Sequence, residues 1–349
     1  MRIPVTCTVL FALLLPLFGA GQQGEQTTNQ QSQQTSNQQS QQTSDQQQTP
    51  EQQGQIPTFR KNVSLVNVYF TVKDHHGTLV PNLTKDDFEI AEDGKPQTIK
   101  YFAAETNLPL TLGILVDSSA SMEKMLPEEQ VVGTEFLRQV ITDKDLAFII
   151  SFDISVDLLQ DLTSDVHLLG VGLKRAHVNV QVASGGIPGL GQGPVPISHP
   201  KGTLLYDGVY LASSEMLSKQ VGRKAMVLLT DGNDEGSQVK LREAIESAQK
   251  ADAICYVLLL HDPAYGPPGS GEMRQLTEAT GGRVIEVNNP NKIGDAFHQI
   301  SAELRSQYSL GYTPENDKRD GTFRKIEIKA KSKDNYKVQA RKGYYAPLS

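Results

Sequence analysis

The chain is short of several things that commonly announce a function. It has two cysteines in 349 residues, Cys7 and Cys255. Cys7 stands ahead of the first apolar run, too early for a lipid-attachment cysteine. Once that leader is removed Cys255 is alone, so no internal disulfide can form. Cys255 lies inside AICYVLLL and reads as an inert buried thiol. After the N-terminus no segment is long and apolar enough for a transmembrane helix. A long basic block is missing too, and the formal charge of -7 is modest, which argues against nucleic acid as a partner. Catalytic signatures are lacking: there is no G-x-S-x-G, no G-x-x-x-x-G-K-[ST] and, among seven histidines, no H-E-x-x-H. His75 and His76 adjoin in a turn-like DHHG and read as solvated. The expectation is a protein that is not an enzyme.

What is present begins with MRIPVTCTVLFALLLPLFGAG, one arginine followed by a short apolar run and small residues at Gly19 and Gly21. This reads as a cleaved secretory signal peptide over residues 1–21, which implies a secreted or periplasmic protein. Residues 22–57 are almost entirely Gln, Ser, Thr and Asn, with near-repeats such as QQTSNQQSQQTSDQQ. With no apolar side chains to offset the entropy of ordering, they read as a disordered linker. An exported chain without disulfides must then draw its stability from its core or from a metal.

The ordered part has three textures. In residues 58–107, Val66, Val68, Phe70 and Val72 alternate with polar residues, and Asp93-Gly94 separates two strand-like runs, a hairpin signal. Residues 306–349 are similar, with Ile326, Ile328 and Ala330 alternating. The lysines of this basic stretch take the intervening positions, as on the outer face of a strand. Neither flank alone carries enough apolar residues for a good core, so the two are expected to pair into one β-sandwich. Between them, over residues 108–305, near-continuous apolar runs (LTLGILV, LAFIISF, AMVLLT, AICYVLLL, RVIEV) alternate with helical spacings. Pro127 opens one helix, Ser237 is placed to cap another, and the last (Asn291–Ser306) has Ile293, Phe297, Ile300 and Leu304 on one face. VDLLQDLT follows LAFIISF closely enough to be an antiparallel edge strand. The fold class is therefore α/β, a doubly wound and mostly parallel sheet covered on both faces, inserted between two β-rich flanks. Ligands of such a sheet gather beyond the carboxyl ends of its strands, near the switch point.

One cluster falls at that edge. GILVDSSASM ends a strand with Asp117 and follows it with Ser119 and Ser121; GTLLYD begins a helix with Thr203; AMVLLTDG ends another strand with Thr230 and Asp231. Two carboxylates (Asp117, Asp231) and three hydroxyls (Ser119, Ser121, Thr203) converging from three loops suit a small hard cation, Mg2+ or Mn2+. A hydrogen-bonded turn is the simpler alternative for each segment taken singly. Phosphatases that use D-x-D need a second aspartate where this chain has Ser119.

The D-x-S-x-S of Asp117–Ser121, the later Thr203 and the T-D-G of Thr230–Gly232 resemble the metal-ion-dependent adhesion site of von Willebrand factor type A domains, over residues 108–305. The flanking DDFEIAEDGKPQTIKYF and YSLGYTPENDKRDGTFRKIEIKAK resemble exported bacterial proteins described as VWFA-related, of the acidobacterial type. The resemblance implies that Ser119 and Ser121 coordinate the metal, that Thr203 binds it directly or through water, and that Asp117 and Asp231 hold metal-bound waters. It also implies an open coordination position, filled by a Glu or Asp of a partner protein. The expectation is an exported metal-dependent binding module; the alternative is an envelope scaffold in which the α/β domain positions the sandwich. The Gly- and Pro-rich stretch Asn179–Gly202 enters the site and either joins a binding surface, restricts access or is a plain surface loop.

Overall fold

The computed structural model describes residues 65–104, 108–179, 202–262, 266–331 and 335–348. The expected signal peptide and linker, and nearly all of the stretch from Asn179 to Gly202, lie outside them.

The N-terminal flank supplies four strands, β1 (Val66–Lys73), β2 (Phe88–Glu92), β3 (Lys95–Gln97) and β4 (Ile99–Ala104). Asp93 and Gly94 both take positive φ (49° and 79°) between β2 and β3, the left-handed pair that a two-residue hairpin requires.

The central segment then runs β5 (Leu110–Asp117), α1 (Leu126–Val140), β6 (Leu146–Phe152), β7 (Val156–Thr163), α2 (Val166–Lys174) and α3 (Leu205–Leu211). It continues with β8 (Arg223–Thr230), α4 (Leu241–Lys250), β9 (Ala253–Leu260), α5 (Ser270–Thr280), β10 (Val284–Val287) and α6 (Ile293–Arg305). These strands form one sheet in the order β10-β9-β8-β5-β6-β7, parallel except for β7, which pairs antiparallel with β6 as the edge strand.

The apolar runs follow from burial on both faces. Along β9, Ile254, Tyr256, Leu258 and Leu260 face one core with side chains of α1, α2 and α6, while Cys255, Val257 and Leu259 face the other with side chains of α3, α4 and α5. Burial pushes the Cys255 thiol up to about 12, so it stays protonated and inert. At Gly113 of β5 the Phe148 ring fills the space of a side chain: a Cβ there would lie 2.6 Å from Phe148 Cζ. Pro127 does sit in the first turn of α1. Ser237 does not cap α4; its Oγ instead accepts the backbone N–H groups of Tyr206 and Asp207 at the start of α3 (3.1 and 3.2 Å). The α4 start uses Glu243, whose carboxylate accepts the Lys240 N–H at 2.9 Å.

After α6 the chain returns to the flank as β11 (Tyr308–Tyr312), β12 (Phe323–Ala330), β13 (Lys337–Ala340) and β14 (Gly343–Tyr345). Strands from both flanks interleave in two sheets, β13-β1-β11-β4 and β14-β12-β2-β3. Their inner faces share one core that includes Val68, Phe70, Phe88, Ile90, Leu310 and Ile326. At its base the buried Glu92 carboxylate accepts hydroxyls from Tyr312 (2.7 Å) and Tyr344 (3.0 Å), one residue from before the central segment and two from after it. Arg223 of β8 ties both crossings to the central sheet: its guanidinium donates to the Leu108 carbonyl (3.1 and 3.0 Å) and to the Leu304 carbonyl (2.6 Å).

Candidate metal centre

Strand order reverses between β5 and β8, so the crevice beyond their carboxyl ends is the switch point of the sheet. Asp117 ends β5, and Thr230 ends β8 directly before Asp231. Asp117 is wholly buried. Its Oδ1 accepts the Ser119 N–H at 3.0 Å and its Oδ2 accepts the Thr230 hydroxyl at 2.6 Å. Thr230 Oγ1 accepts in turn the Gly232 N–H at 3.0 Å, so one hydroxyl shapes the turn after β8 and orients the carboxylate of β5.

The loop after Asp117 becomes a single tight turn, Ala120–Met122, anchored by the buried Met122. This turn brings the Ser119 and Ser121 hydroxyls side by side, with their Oγ atoms 3.1 Å apart. Asp231 is also buried; its Oδ1 accepts the Asn233 N–H at 3.0 Å, and its carbonyl accepts the Gly269 N–H at 2.9 Å. Thr203 is buried on the same edge of the sheet. It forms an isolated two-way backbone bridge with Glu235 (2.9 and 3.0 Å), and the next residue, Leu204, donates its N–H to the Asp153 carbonyl at 2.8 Å. Hydrogen bonds thus join Asp117, Ser119 and Ser121. Thr203 is positioned by backbone contacts, and among the described residues no hydrogen bond joins its hydroxyl to the other four.

Charge joins the fifth residue to the set. Burial first, and then the negative charge of Asp231, push the Asp117 carboxyl up to about 7, against the pull of hydrogen bonds from Ser119 and Thr230. Glu129 of α1 belongs to the same electrostatic group: burial and the charge of Asp117 hold its carboxyl well above the usual range. Neither Glu129 oxygen has a hydrogen-bond partner among the described residues.

Among the described residues no group of three or more His, Cys, Asp or Glu side chains is placed to hold a metal ion. A site here would therefore be built on hydroxyls, with few direct carboxylate ligands. The donor set fits a hard divalent cation: the oxygens are carboxylate and hydroxyl, the two aspartates repel one another, and a buried acid nearby is unsatisfied. The residues that would hold it are Ser119, Ser121, Thr203, Asp117 and Asp231.

Thr230, read in sequence as part of the T-D-G motif, takes a role the motif does not carry, since it orients Asp117. Two further residues around this edge escape a reading of motifs. Asp153 ends the LAFIISF run as Asp117 ends LTLGILV, and that repeated pattern was its available signal. Buried, it accepts the Ser155 N–H at 3.0 Å and the side-chain amide of Asn179. Glu129 falls on the buried stripe of α1 with Leu126, Gly133, Phe136, Leu137 and Val140, an acid where the helical period calls for an apolar residue.

No protein-family model and no curated protein matches the chain. Solved structures to which it is similar are von Willebrand factor type A domain proteins. One, described as von Willebrand factor type A from Catenulispora acidiphila, is 12% identical with a TM-score of 0.47, over 83% of this chain and 75% of that one. BatB from Bacteroides thetaiotaomicron is 18% identical with a TM-score of 0.43, over 56% of this chain and 97% of its own. Proximal thread matrix protein 1 from the mussel byssus, with a zinc-occupied MIDAS motif, is 13% identical with a TM-score of 0.46, over 60% of this chain and 48% of its own.

Proposed function

We propose that this chain is a divalent-cation-dependent protein-binding module of the exported compartment, and that Asp117, Ser119, Ser121, Thr203 and Asp231 hold Mg2+ or Mn2+. The observation that carries this reading is the pairing of two buried, mutually repelling aspartates with two adjacent serine hydroxyls at the switch point of the sheet. When bound, the cation supplies a positive, electrophilic centre at the surface of the crevice.

The chain's own residues do the rest. The hydroxyls of Ser119 and Ser121 present lone pairs on one side of the loop. Thr230 keeps Asp117 turned so that its oxygens remain acceptors. The Thr203–Glu235 bridge holds the third hydroxyl at the same edge. Because the donors are mainly neutral, the ion keeps enough positive charge to attract a carboxylate of a partner protein, a Glu or Asp side chain. Binding rather than catalysis is the proposed outcome, since the motif of Asp117–Ser121 carries Ser119 where a D-x-D phosphatase needs a second aspartate as general acid and base.

Calorimetric titration of Mg2+ or Mn2+ tests this: one site is expected in the wild type, and none in Asp117→Ala. A wild type that takes up neither ion overturns the reading. The second reading is a scaffold in which the α/β domain only positions the sandwich. It is favoured by the Arg223 guanidinium, which ties both crossing segments to the central sheet. A scaffold would assemble equally well in chelator.

A further inference from the structure

Helix α1 packs against the core of the central sheet through Leu126, Phe136, Leu137 and Val140. Glu129 lies on that same buried stripe and is 1% exposed. Its backbone is ordinary helix, with the N–H bonded to the Met125 carbonyl at 3.1 Å. Its side chain is not ordinary, because neither carboxyl oxygen meets a donor among the described residues. Burying a carboxylic acid without hydrogen bonds costs about 1–3 kcal/mol, and an isolated carboxylate costs several more. Leucine or methionine at this position would avoid that cost. A chain that keeps an acid here, facing no donor among the described residues, holds a carboxyl that a cation from outside could draw into its charged form.

The position of Glu129 says what that is. Asp117 lies close enough for its charge to act on Glu129, and Asp231 lies close enough to act on Asp117. The three acids form a chain of influence that runs from Asp231 at the crevice, through Asp117, to Glu129 on the core side. They are not grouped as three direct ligands of one ion. We infer that Glu129 is a positioning carboxylate for the divalent cation of the Asp117–Ser119–Ser121 edge, acting from the core side through ion-bound water.

This rests on the cation-site reading above and adds a residue to it. Direct ligands that are mostly hydroxyls leave the ion's charge largely uncompensated. In an interior of low polarity and little ionic screening, a carboxylate one layer further in still acts on the ion strongly. Glu129 thereby raises the affinity for the ion without occupying a coordination position, and the crevice side stays open for the acidic side chain of a partner. Outer carboxylates of this kind typically change metal affinity about 10–100-fold.

The test is calorimetric titration of Mg2+ into the full chain as wild type, Glu129→Gln, Glu129→Leu and Asp117→Ala, beside thermal melts of each in chelator. Glu129→Gln keeps the shape and removes the charge, and Glu129→Leu fills the same volume if the amide disturbs folding. The expected result is Mg2+ binding weakened about 10–100-fold in both Glu129 variants, with midpoints in chelator at or above wild type. Mg2+ binding equal to wild type overturns the role of Glu129 and leaves the cation site standing. Weaker binding accompanied by a lower midpoint in chelator makes Glu129 structural, and also overturns it. A wild type that binds no Mg2+ removes the site itself.

Discussion

Thr230 reaches across from the end of β8 to donate its hydroxyl to Asp117 at the end of β5, 2.6 Å away. Both side chains are wholly buried, so no water replaces the bond when it is removed. Thr230→Val keeps the shape and deletes the donor. It is expected to cost about 1–3 kcal/mol in urea unfolding, the usual worth of a hydrogen bond to a buried carboxylate. It also frees Asp117 to turn, so Mg2+ affinity measured calorimetrically falls. Unchanged stability and affinity would show that Ser119 alone orients Asp117.

The site has a pH dependence whose sign follows from Asp117. Its ordinary value is 3.8 and the folded chain raises it to about 7, burial being the larger cause. Over that interval the folded state binds more protons than the unfolded one, so in chelator the contribution of this group to stability falls as pH rises from about 4 to about 7. Glu129, raised in the same sense, acts in the same direction. A divalent cation competes with the proton for the carboxylate, so its stabilising effect grows through the same range. Thermal melts at about pH 5.5 and about pH 8, with chelator and with Mg2+, should show a larger shift by Mg2+ at the higher pH. A shift independent of pH would mean that Asp117 stays ionised throughout.

The fold was legible where a residue's surroundings are set by its neighbours in sequence. Runs such as AICYVLLL show alternate side chains entering two cores, which only a sheet covered on both faces allows. Asp93-Gly94 declares its hairpin because few pairs tolerate two positive φ angles. Within the site, the Ser119–Ser121 pair is similarly local, since one tight turn suffices to set the hydroxyls side by side. Ser237 misled because its hydroxyl serves a helix start some thirty residues earlier, a relation no local pattern carries. Glu129 was hidden for a related reason: an acid on a helix reads as solvent-facing unless the depth of its stripe is known.

A glycine secures the other side of the crevice. Gly269 precedes α5 and donates its N–H to the Asp231 carbonyl at 2.9 Å. A Cβ there would lie 1.9 Å from the Gly232 carbonyl oxygen, a backbone atom that cannot swing aside. Gly269→Ala must therefore displace the turn that carries Asp231. Expected are a loss of about 1–3 kcal/mol, typical of overpacking, and weaker Mg2+ binding, read by thermal melts and calorimetry. Loss of stability with unchanged affinity would show that the turn moves without carrying Asp231.

The helix that ends the central segment is fastened to the sandwich by one buried acid. Glu303 of α6 is 2% exposed, and its Oε1 accepts from Lys73 Nζ of β1 at 2.8 Å and from Arg283 Nε beside β10 at 2.6 Å. Gln339 Nε2 of β13 approaches its Oε2 at 3.4 Å. Removing one member of a fully buried ion pair costs about 3–5 kcal/mol, because the remaining charge is left without a partner. Here Lys73 and Arg283 keep 15% and 28% side-chain exposure and regain some water, so Glu303→Gln should cost about 2–3 kcal/mol in urea unfolding. The loss should shrink in the double variant with Lys73→Met, which removes a cation that the neutral amide would leave stranded. If the two substitutions are instead additive, Lys73 and Glu303 do not act as a pair, and the attachment of α6 to the sandwich through Glu303 lies with Gln339 of β13.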